Sequence, residues 1–187
     1  MTDPARTRTI AAAGLIGIAS GALAALVLET TGEFRVAPGA IYGLAAGVAL
    51  VRAKVVTARQ GAFYVVASAL AYAVAVQVAL AIHQPLNDTM WQVGLIAGLC
   101  GSAILTTATA PMLPSVKRPL PYLALLAIGC ALGSLLGLID YSWGSVALYS
   151  GWQGGYAAML AAFLPVNWRA PNPTGGEKTQ PRSVEAT

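Results

Sequence analysis

Ionisable side chains are scarce in this chain of 187 residues, of which only 10% are charged and 57% are hydrophobic. Soluble domains carry about 25% charged residues, so this sequence lacks the polar surface that a water-soluble fold exposes. Its apolar residues also form runs that are longer than the roughly 10–14 residues of a buried core helix. The composition therefore predicts an all-α, polytopic membrane protein.

Residues that carry catalysis or bind metals are also rare. His83 is the single histidine, so a multi-histidine metal site is impossible, and Ser150-Gly151 lacks the Gly-x-Ser-Gly context of an intramembrane serine protease. We interpret His83 as a loop histidine, with axial haem ligation or pH sensing as alternatives. Cys100 and Cys130 lie in apolar runs, which favours small packing residues over a disulfide or metal pair. We therefore predict no enzymatic activity and no cofactor.

Six apolar segments are candidate membrane spans, and none of them contains Asp, Glu, Lys, Arg or His. Most match the roughly 20 residues that cross a hydrocarbon layer about 30 Å thick. The second is shorter, but Arg35 and Arg52 flank it and can extend to the headgroups. The spans are 10–28, 36–51, 61–82, 93–113, 120–139 and 146–165. They predict a compact six-helix transmembrane domain at 10–166, between a cytoplasmic N-terminal segment at 1–9 and a disordered cytoplasmic tail at 167–187.

The charged residues indicate the orientation of these spans. Ten of the eleven lysines and arginines lie on one side of an alternating six-span arrangement, and Arg35 is the exception. The other side carries Glu29, Glu33, Asp88 and Asp140. Because cytoplasmic loops are enriched in Lys and Arg, both termini are predicted to be cytoplasmic. The net charge of +4 thus reflects topology, and no nucleic-acid partner is predicted.

The N-terminal run MTDPARTRT and the apolar residues after it have an alternative interpretation as a signal peptide, with Ala22-Leu23-Ala24 as the cleavage site. We favour a retained helix, because the apolar run continues through Leu28 and no polar region precedes that site. Abundant Ala, Gly and Arg beside only three lysines are typical of a GC-rich bacterial genome. The predicted location is therefore the inner (cytoplasmic) membrane.

Glycines recur at regular positions. The second, fourth and sixth spans contain Gly-x-x-Ala, starting at Gly43, Gly94 and Gly155. An offset of 112 residues also places Gly17 and Gly21 on two glycines of the fifth span. The pattern predicts three pseudo-repeated helical hairpins related by an axis along the membrane normal. Chance coincidence is the alternative, because Gly and Ala are so frequent.

Small residues three or four positions apart make a flat helix face on which two backbones approach closely. Such pairs occur in five of the six spans, which predicts a tightly packed bundle. The predicted helix-packing glycines are Gly17, Gly21, Gly43, Gly94, Gly129, Gly133 and Gly155.

Two Trp-Gln pairs, Trp91-Gln92 and Trp152-Gln153, begin the related stretches WQVGLIAGL and WQGGYAAML. If the repeat holds, both pairs lie at the same depth near the outer surface. In one interpretation tryptophan anchors the helix at the interface and glutamine satisfies free N–H groups at the helix start. In the other, both glutamines line an outward-facing polar vestibule. We favour packing.

Further uncharged polar residues lie within the spans. Gln77 is interpreted as an interhelical hydrogen-bonding residue, with a substrate contact as the alternative. Thr106, Thr107 and Thr109 precede Pro111, which predicts hydroxyl bonds to carbonyls one turn back and a bent helix.

Two functional hypotheses follow. The first is a non-enzymatic subunit or assembly factor of a larger membrane complex, whose partners are the lipid bilayer and other membrane subunits or further copies. The second is a small neutral-solute permease or a substrate-binding membrane subunit, because spans without ionisable residues offer no proton relay. In size and six-span layout, with small residues four apart in its first helix, the chain resembles the substrate-binding component of energy-coupling-factor vitamin transporters. The resemblance is one of layout and implies binding of a small molecule whose identity is unknown.

Overall fold

The computed structural model describes residues 4–31, 36–83 and 89–164. Within these ranges the chain forms six α-helices, α1 (Pro4–Thr31), α2 (Ala37–Arg52), α3 (Ala58–Ile82), α4 (Met90–Thr109), α5 (Pro119–Gly133) and α6 (Gly144–Ala162). Two 3₁₀ segments, Pro114–Lys117 and Ser134–Leu138, precede and extend α5. The predicted tail at 167–187, together with Glu33 and Asp88, lies outside the described residues.

Four of these helical stretches are long and apolar enough to cross a membrane, namely Pro4–Thr30, Ala58–Ile82, Met90–Thr109 and Pro119–Leu138. Helix α2 is apolar but has only 16 residues. At 1.5 Å per residue it extends about 24 Å, which is less than the roughly 30 Å hydrocarbon layer. Helix α6 has 19 residues and includes the weakly apolar run YSGWQGGY. Helix length and composition thus indicate a multi-pass membrane protein, and the crossings of α2 and α6 stay predictions.

Helix α1 is longer than its apolar run. It begins at Pro4, and a proline costs little there because the first N–H groups of a helix have no intrahelical partner. Arg6 and Arg8 therefore lie within the first helix, and the cytoplasmic location of residues 1–9 stays a prediction. The Arg6 guanidinium donates to the carbonyl of Ala162 at the end of α6. This bond satisfies one of the carbonyls that a helix leaves free at its C-terminus.

Helix α4 ends at Thr109, four residues before the predicted end of its span at 113. Pro111 explains the difference, because proline has no N–H to donate to the carbonyl of Thr107. The fifth span is also interrupted, since α5 ends at Gly133 and the chain continues as the 3₁₀ segment.

The six helices pack in chain order into a closed ring. Each helix contacts the helices before and after it, and α6 closes the ring against α1. Adjacent helices are antiparallel; on α1, for example, Gly14 lies near Ala158 and Gly21 lies near Ser150. The most extensive contacts are those of α1 with α6, α2 with α3, and α4 with α5.

Glycine contacts concentrate at these three helix pairs. A Cβ atom at Gly94 would overlap the carbonyl oxygen of Gly133, and one at Gly133 would overlap that of Gly94. A Cβ atom at Gly17 would overlap the carbonyl oxygen of Gln153 on α6. The predicted packing glycines at these pairs are Gly17, Gly21, Gly43, Gly94, Gly129 and Gly133. Backbones thus touch directly, which provides the dispersion contacts that lipid-phase helix association needs.

Gly155 departs from this arrangement. A Cβ atom there would meet the side chain of Leu132 on α5, whereas it is Gly154 that packs against α1. By contrast, Gly43 and Gly94 each face the next helix of the ring, α3 and α5 respectively. The Gly-x-x-Ala alignment therefore does not give α6 the same packing register as α2 and α4. The threefold hairpin repeat stays a prediction.

Candidate functional site

Four aromatic side chains occupy the middle of the ring, Tyr42 from α2, Tyr64 from α3, and Trp152 and Tyr156 from α6. The rings of Trp152 and Tyr156 stack with their centroids 5.4 Å apart and an interplanar angle of 13°. Tyr42 meets these two rings edge-on, at 6.2 and 6.4 Å. Each such pair contributes about 0.5–1.5 kcal/mol beyond the burial of its area. We call these four residues the aromatic cluster.

The three tyrosine hydroxyls of the aromatic cluster have hydrogen-bond partners. The Tyr64 hydroxyl donates to that of Tyr42 at 3.3 Å. The hydroxyls of Tyr156 and Thr106 lie 2.8 Å apart and link α6 to α4 across the ring. These partners matter because an unpaired buried hydroxyl costs about 1–3 kcal/mol.

The threonines of α4 only partly follow the predicted bending role. Thr109 donates to the carbonyl of Leu105 one turn back, at 2.6 Å. Thr106 instead bonds a tyrosine of α6, and Thr107 lies 2.8 Å from the hydroxyl of Tyr122 on α5. Two of the three hydroxyls therefore connect helices.

Gln153 joins three helices and is only 2% exposed. Its Oε1 atom accepts a hydrogen bond from the Ser20 hydroxyl of α1 at 2.7 Å. Its Nε2 atom donates to the carbonyl of Pro38 in the first turn of α2 at 3.1 Å. The interpretation of Gln153 as a residue that satisfies the start of its own helix is wrong. Helix α6 begins at Gly144, so Gln153 lies about two and a half turns inside it.

The two Trp-Gln pairs occupy different environments. Trp91 is the second residue of α4 and is 50% exposed, with Gln92 half-buried beside it. Trp152 lies in the aromatic cluster, and its Nε1 atom donates to the carbonyl of Gly129 on α5 at 3.3 Å. The prediction of equal depth is therefore wrong, and a vestibule lined by both pairs is not formed. The physical reason is that α6 already begins at Gly144, so Trp152 lies more than two turns inside the helix.

Gln77 faces away from the interior of the ring. Together with Leu70 and Val74, it forms an exposed row at helical spacing on α3. Ala71 and Ala75 lie on the inward side of the same helix. The predicted interhelical hydrogen bond of Gln77 is not formed with the described residues, because the helical period turns this side chain outward.

A cavity of about 130 Å³ lies next to the aromatic cluster. Five helical elements line it: α2, α3, α4, α6 and α5 with its 3₁₀ extension. Small residues and aliphatic side chains form much of its wall, and the rings of Tyr42, Tyr72, Tyr149 and Trp152 form the rest. No Asp, Glu, Lys, Arg or His is among the residues that line it. The site is thus mostly apolar and without formal charge.

Few polar groups face this central cavity. The hydroxyls of Tyr72 and Tyr149 lie 2.9 Å apart and form a hydrogen bond between α3 and α6. Ser68 precedes Tyr72 by one turn on α3 and is only 3% exposed. It lines the cavity, and its hydroxyl has no hydrogen-bond partner among the described residues. The Ser68 hydroxyl is therefore available to a molecule bound in the cavity.

The sequence does not identify Ser68, Tyr72 and Tyr149 as candidate site residues. A weak signal was present, because Ser68 and Tyr72 are four residues apart and therefore share one face of a helix. The pairing of Tyr72 with Tyr149 had no signal in the sequence, since the two residues are 77 positions apart.

The described residues offer no alternative metal site. Within 4–31, 36–83 and 89–164, no three His, Cys, Asp or Glu side chains come together. Cys100 and Cys130 are both free thiols. His83 is the C-cap residue of α3.

Comparison of the chain with protein-family models, curated proteins and solved structures gives no match. The resemblance to the substrate-binding component of energy-coupling-factor transporters therefore rests on layout alone. Its implication of small-molecule binding remains an expectation, and the argument for function depends on the cavity.

Proposed function

We propose that this chain binds a small neutral solute in its central cavity, as a permease or as the substrate-binding membrane subunit of a transporter. The observation that carries the proposal is a cavity lined from five helical elements, with no ionisable side chain among the residues that line it. An ion in such a site would lose its hydration without a counter-charge, at a cost of tens of kcal/mol by Born solvation. A neutral solute avoids this cost and gains the contacts of the aromatic wall.

The size of the cavity limits the solute. In another protein, an apolar cavity of about 150 Å³ stays dry and binds benzene. The volume of about 130 Å³ found here therefore suits a compact solute of benzene-like size.

The proposal includes six membrane crossings with both termini in the cytoplasm. Helices α2 and α6 are members of the ring beside the four long apolar stretches, and residues of both helices line the cavity. Exposed basic residues gather at one end of the ring, Arg6, Arg8, Arg52, Lys54, Arg59, Lys117 and Arg118. The positive-inside rule supports placing this end at the cytoplasmic face of a bacterial inner membrane.

The other hypothesis, a non-enzymatic subunit or assembly factor of a larger complex, stays an expectation. Leu15 on α1 and Leu70 on α3 are examples of large apolar side chains on the outer surface of the ring. Such surfaces suit lipid tails and a partner helix equally well, so they do not favour this hypothesis.

Benzene should bind the purified protein in lipid nanodiscs, raising its thermal unfolding temperature and releasing heat in calorimetry. At a free concentration 100 times Kd, one site would stabilise the protein by about 2.7 kcal/mol. The change Val76→Trp should abolish the effect, because Val76 lines the cavity and the indole would occupy it. The matched change Val74→Trp should retain it, because Val74 is 39% exposed on the outer surface of the same helix.

Benzene that dissolves in the lipid would change the unfolding temperature of the wild type and of both variants equally. Equal responses of the wild type, Val76→Trp and Val74→Trp would therefore contradict the proposal, as would no response in any of them. Unfolding temperatures measured without solute show whether each variant is folded.

A further inference from the structure

We infer that the solute carries a hydroxyl group, which Ser68 and the Tyr72–Tyr149 pair recognise at one side of the cavity. This inference rests on the proposed function and specifies its substrate class as a neutral alcohol or phenol of about the size of benzene.

The state of the Ser68 hydroxyl is the first argument. Three serines of the helices and the 3₁₀ extension, Ser20, Ser102 and Ser134, donate to a carbonyl three residues back, whereas Ser150 on α6 has no hydrogen-bond partner among the described residues. Ser68 makes no such bond with the described residues, although it is only 3% exposed and lines the cavity. A bound molecule that bonds this hydroxyl would supply the partner that the described residues do not provide.

The second argument is the hydrogen-bonding capacity that the tyrosine pair leaves free. Two hydroxyl groups supply two donor hydrogens, and the bond between Tyr72 and Tyr149 uses one of them. One donor and several acceptor lone pairs remain. Ser68 lies one turn before Tyr72 on the same face of α3, and both residues line the cavity together with Tyr149.

A hydroxyl group fits this combination better than other neutral groups. It both donates and accepts, so it can accept from one of these side chains and donate to another. A carbonyl group on the solute can only accept hydrogen bonds, so the acceptor lone pairs of Ser68 and of the tyrosine pair would receive no donor from the solute. An ammonium group would donate, but no carboxylate lines the cavity to balance its charge. The remaining wall is apolar and aromatic, which suits a hydrocarbon ring or a short chain.

The test compares phenol with benzene, two probes that differ by one hydroxyl group, by calorimetry on the protein in nanodiscs. Ser68→Ala should weaken phenol binding about three- to tenfold, the effect of one net hydrogen bond, and leave benzene binding unchanged. It should not lower the unfolding temperature, because Ser68 donates no hydrogen bond to the described residues. Tyr149→Phe should also weaken phenol selectively, since it removes one hydroxyl of the pair.

Ser102→Ala is the matched control, because Ser102 is fully buried on α4 but does not line the cavity. It should change the binding of neither probe. If benzene binds but Ser68→Ala and Tyr149→Phe leave phenol binding unchanged, or weaken both probes equally, hydroxyl recognition is overturned and the proposed function stands. If neither probe binds the wild type, both proposals fail together.

Discussion

Replacing Gly17 with alanine should destabilise the protein strongly, whereas replacing Gly14 with alanine should have almost no effect. A Cβ atom at Gly17 would overlap the carbonyl oxygen of Gln153 and lie 2.7 Å from the Cα atom of Gly154. These are backbone atoms of α6, so relief requires α1 and α6 to separate. At Gly14 the nearest atom is the Cβ of Ala158 at 3.5 Å, an ordinary van der Waals contact.

Overpacking of a well-packed interior costs about 1–3 kcal/mol and sometimes more. We expect Gly17→Ala to reach at least the upper part of this range, because a backbone clash cannot be relieved by a rotamer change. Unfolding followed by circular dichroism in detergent or nanodiscs measures the difference. Similar unfolding temperatures for Gly17→Ala and Gly14→Ala would show that α1 does not pack against α6 through this glycine.

Replacing Tyr156 with alanine should cost about 3–5 kcal/mol, as is typical when a buried aromatic ring is removed. Tyr156 is fully buried, stacks on Trp152 and is bonded to Thr106. Tyr156→Phe keeps the ring but leaves the Thr106 hydroxyl without this partner, so it should cost about 1–3 kcal/mol. Tyr141→Ala is the control, because Tyr141 is 58% exposed and should change stability by less than about 0.5 kcal/mol.

Thermal or denaturant unfolding of the four proteins would give this order of stability. If Tyr156→Ala destabilised the protein no more than Tyr141→Ala, the aromatic cluster would not be the centre of the ring. Equal costs for Tyr156→Phe and Tyr156→Ala would instead show that the hydroxyl group accounts for the whole contribution of Tyr156 to stability.

The helices and the packing role of several glycines could be predicted from sequence because both depend on local patterns. A run of about 20 apolar residues is a property of the chain alone, and so is a pair of glycines four residues apart. Gly17 and Gly133 do lie against the backbones of neighbouring helices. The sequence could not show which helix each glycine faces, because that depends on the closure of the ring between α1 and α6.

The predicted position of Trp152-Gln153 near the outer surface is wrong for a related reason. The prediction assumes a repeat with Trp91-Gln92, but a similar sequence does not establish a similar distance from the helix start. Helix α6 begins at Gly144, so the pair lies in the centre of the ring. There Gln153 bonds Ser20 of α1 and Pro38 of α2.

The central cavity could not be predicted from sequence at all. Its wall combines residues that are far apart in the chain, such as Gly39, Tyr72, Gly98 and Tyr149. The absence of ionisable residues from all six predicted spans did indicate its chemical character, since a cavity lined only by residues of these spans is uncharged. Its volume and its unpaired serine hydroxyl are properties of the tertiary structure.

The most direct test of the account is whether α2 and α6 cross the membrane and thereby place the cavity within it. Single cysteines at Val36, Lys54, Asp140 and Leu164, in a background where Cys100 and Cys130 are replaced by alanine, would be treated in cells with a maleimide that cannot cross the membrane. Val36→Cys and Asp140→Cys should react from outside, and Lys54→Cys and Leu164→Cys only after permeabilisation. Reaction of Val36→Cys and Lys54→Cys from one side, or of Asp140→Cys and Leu164→Cys from one side, would contradict six crossings and a solute site within the membrane.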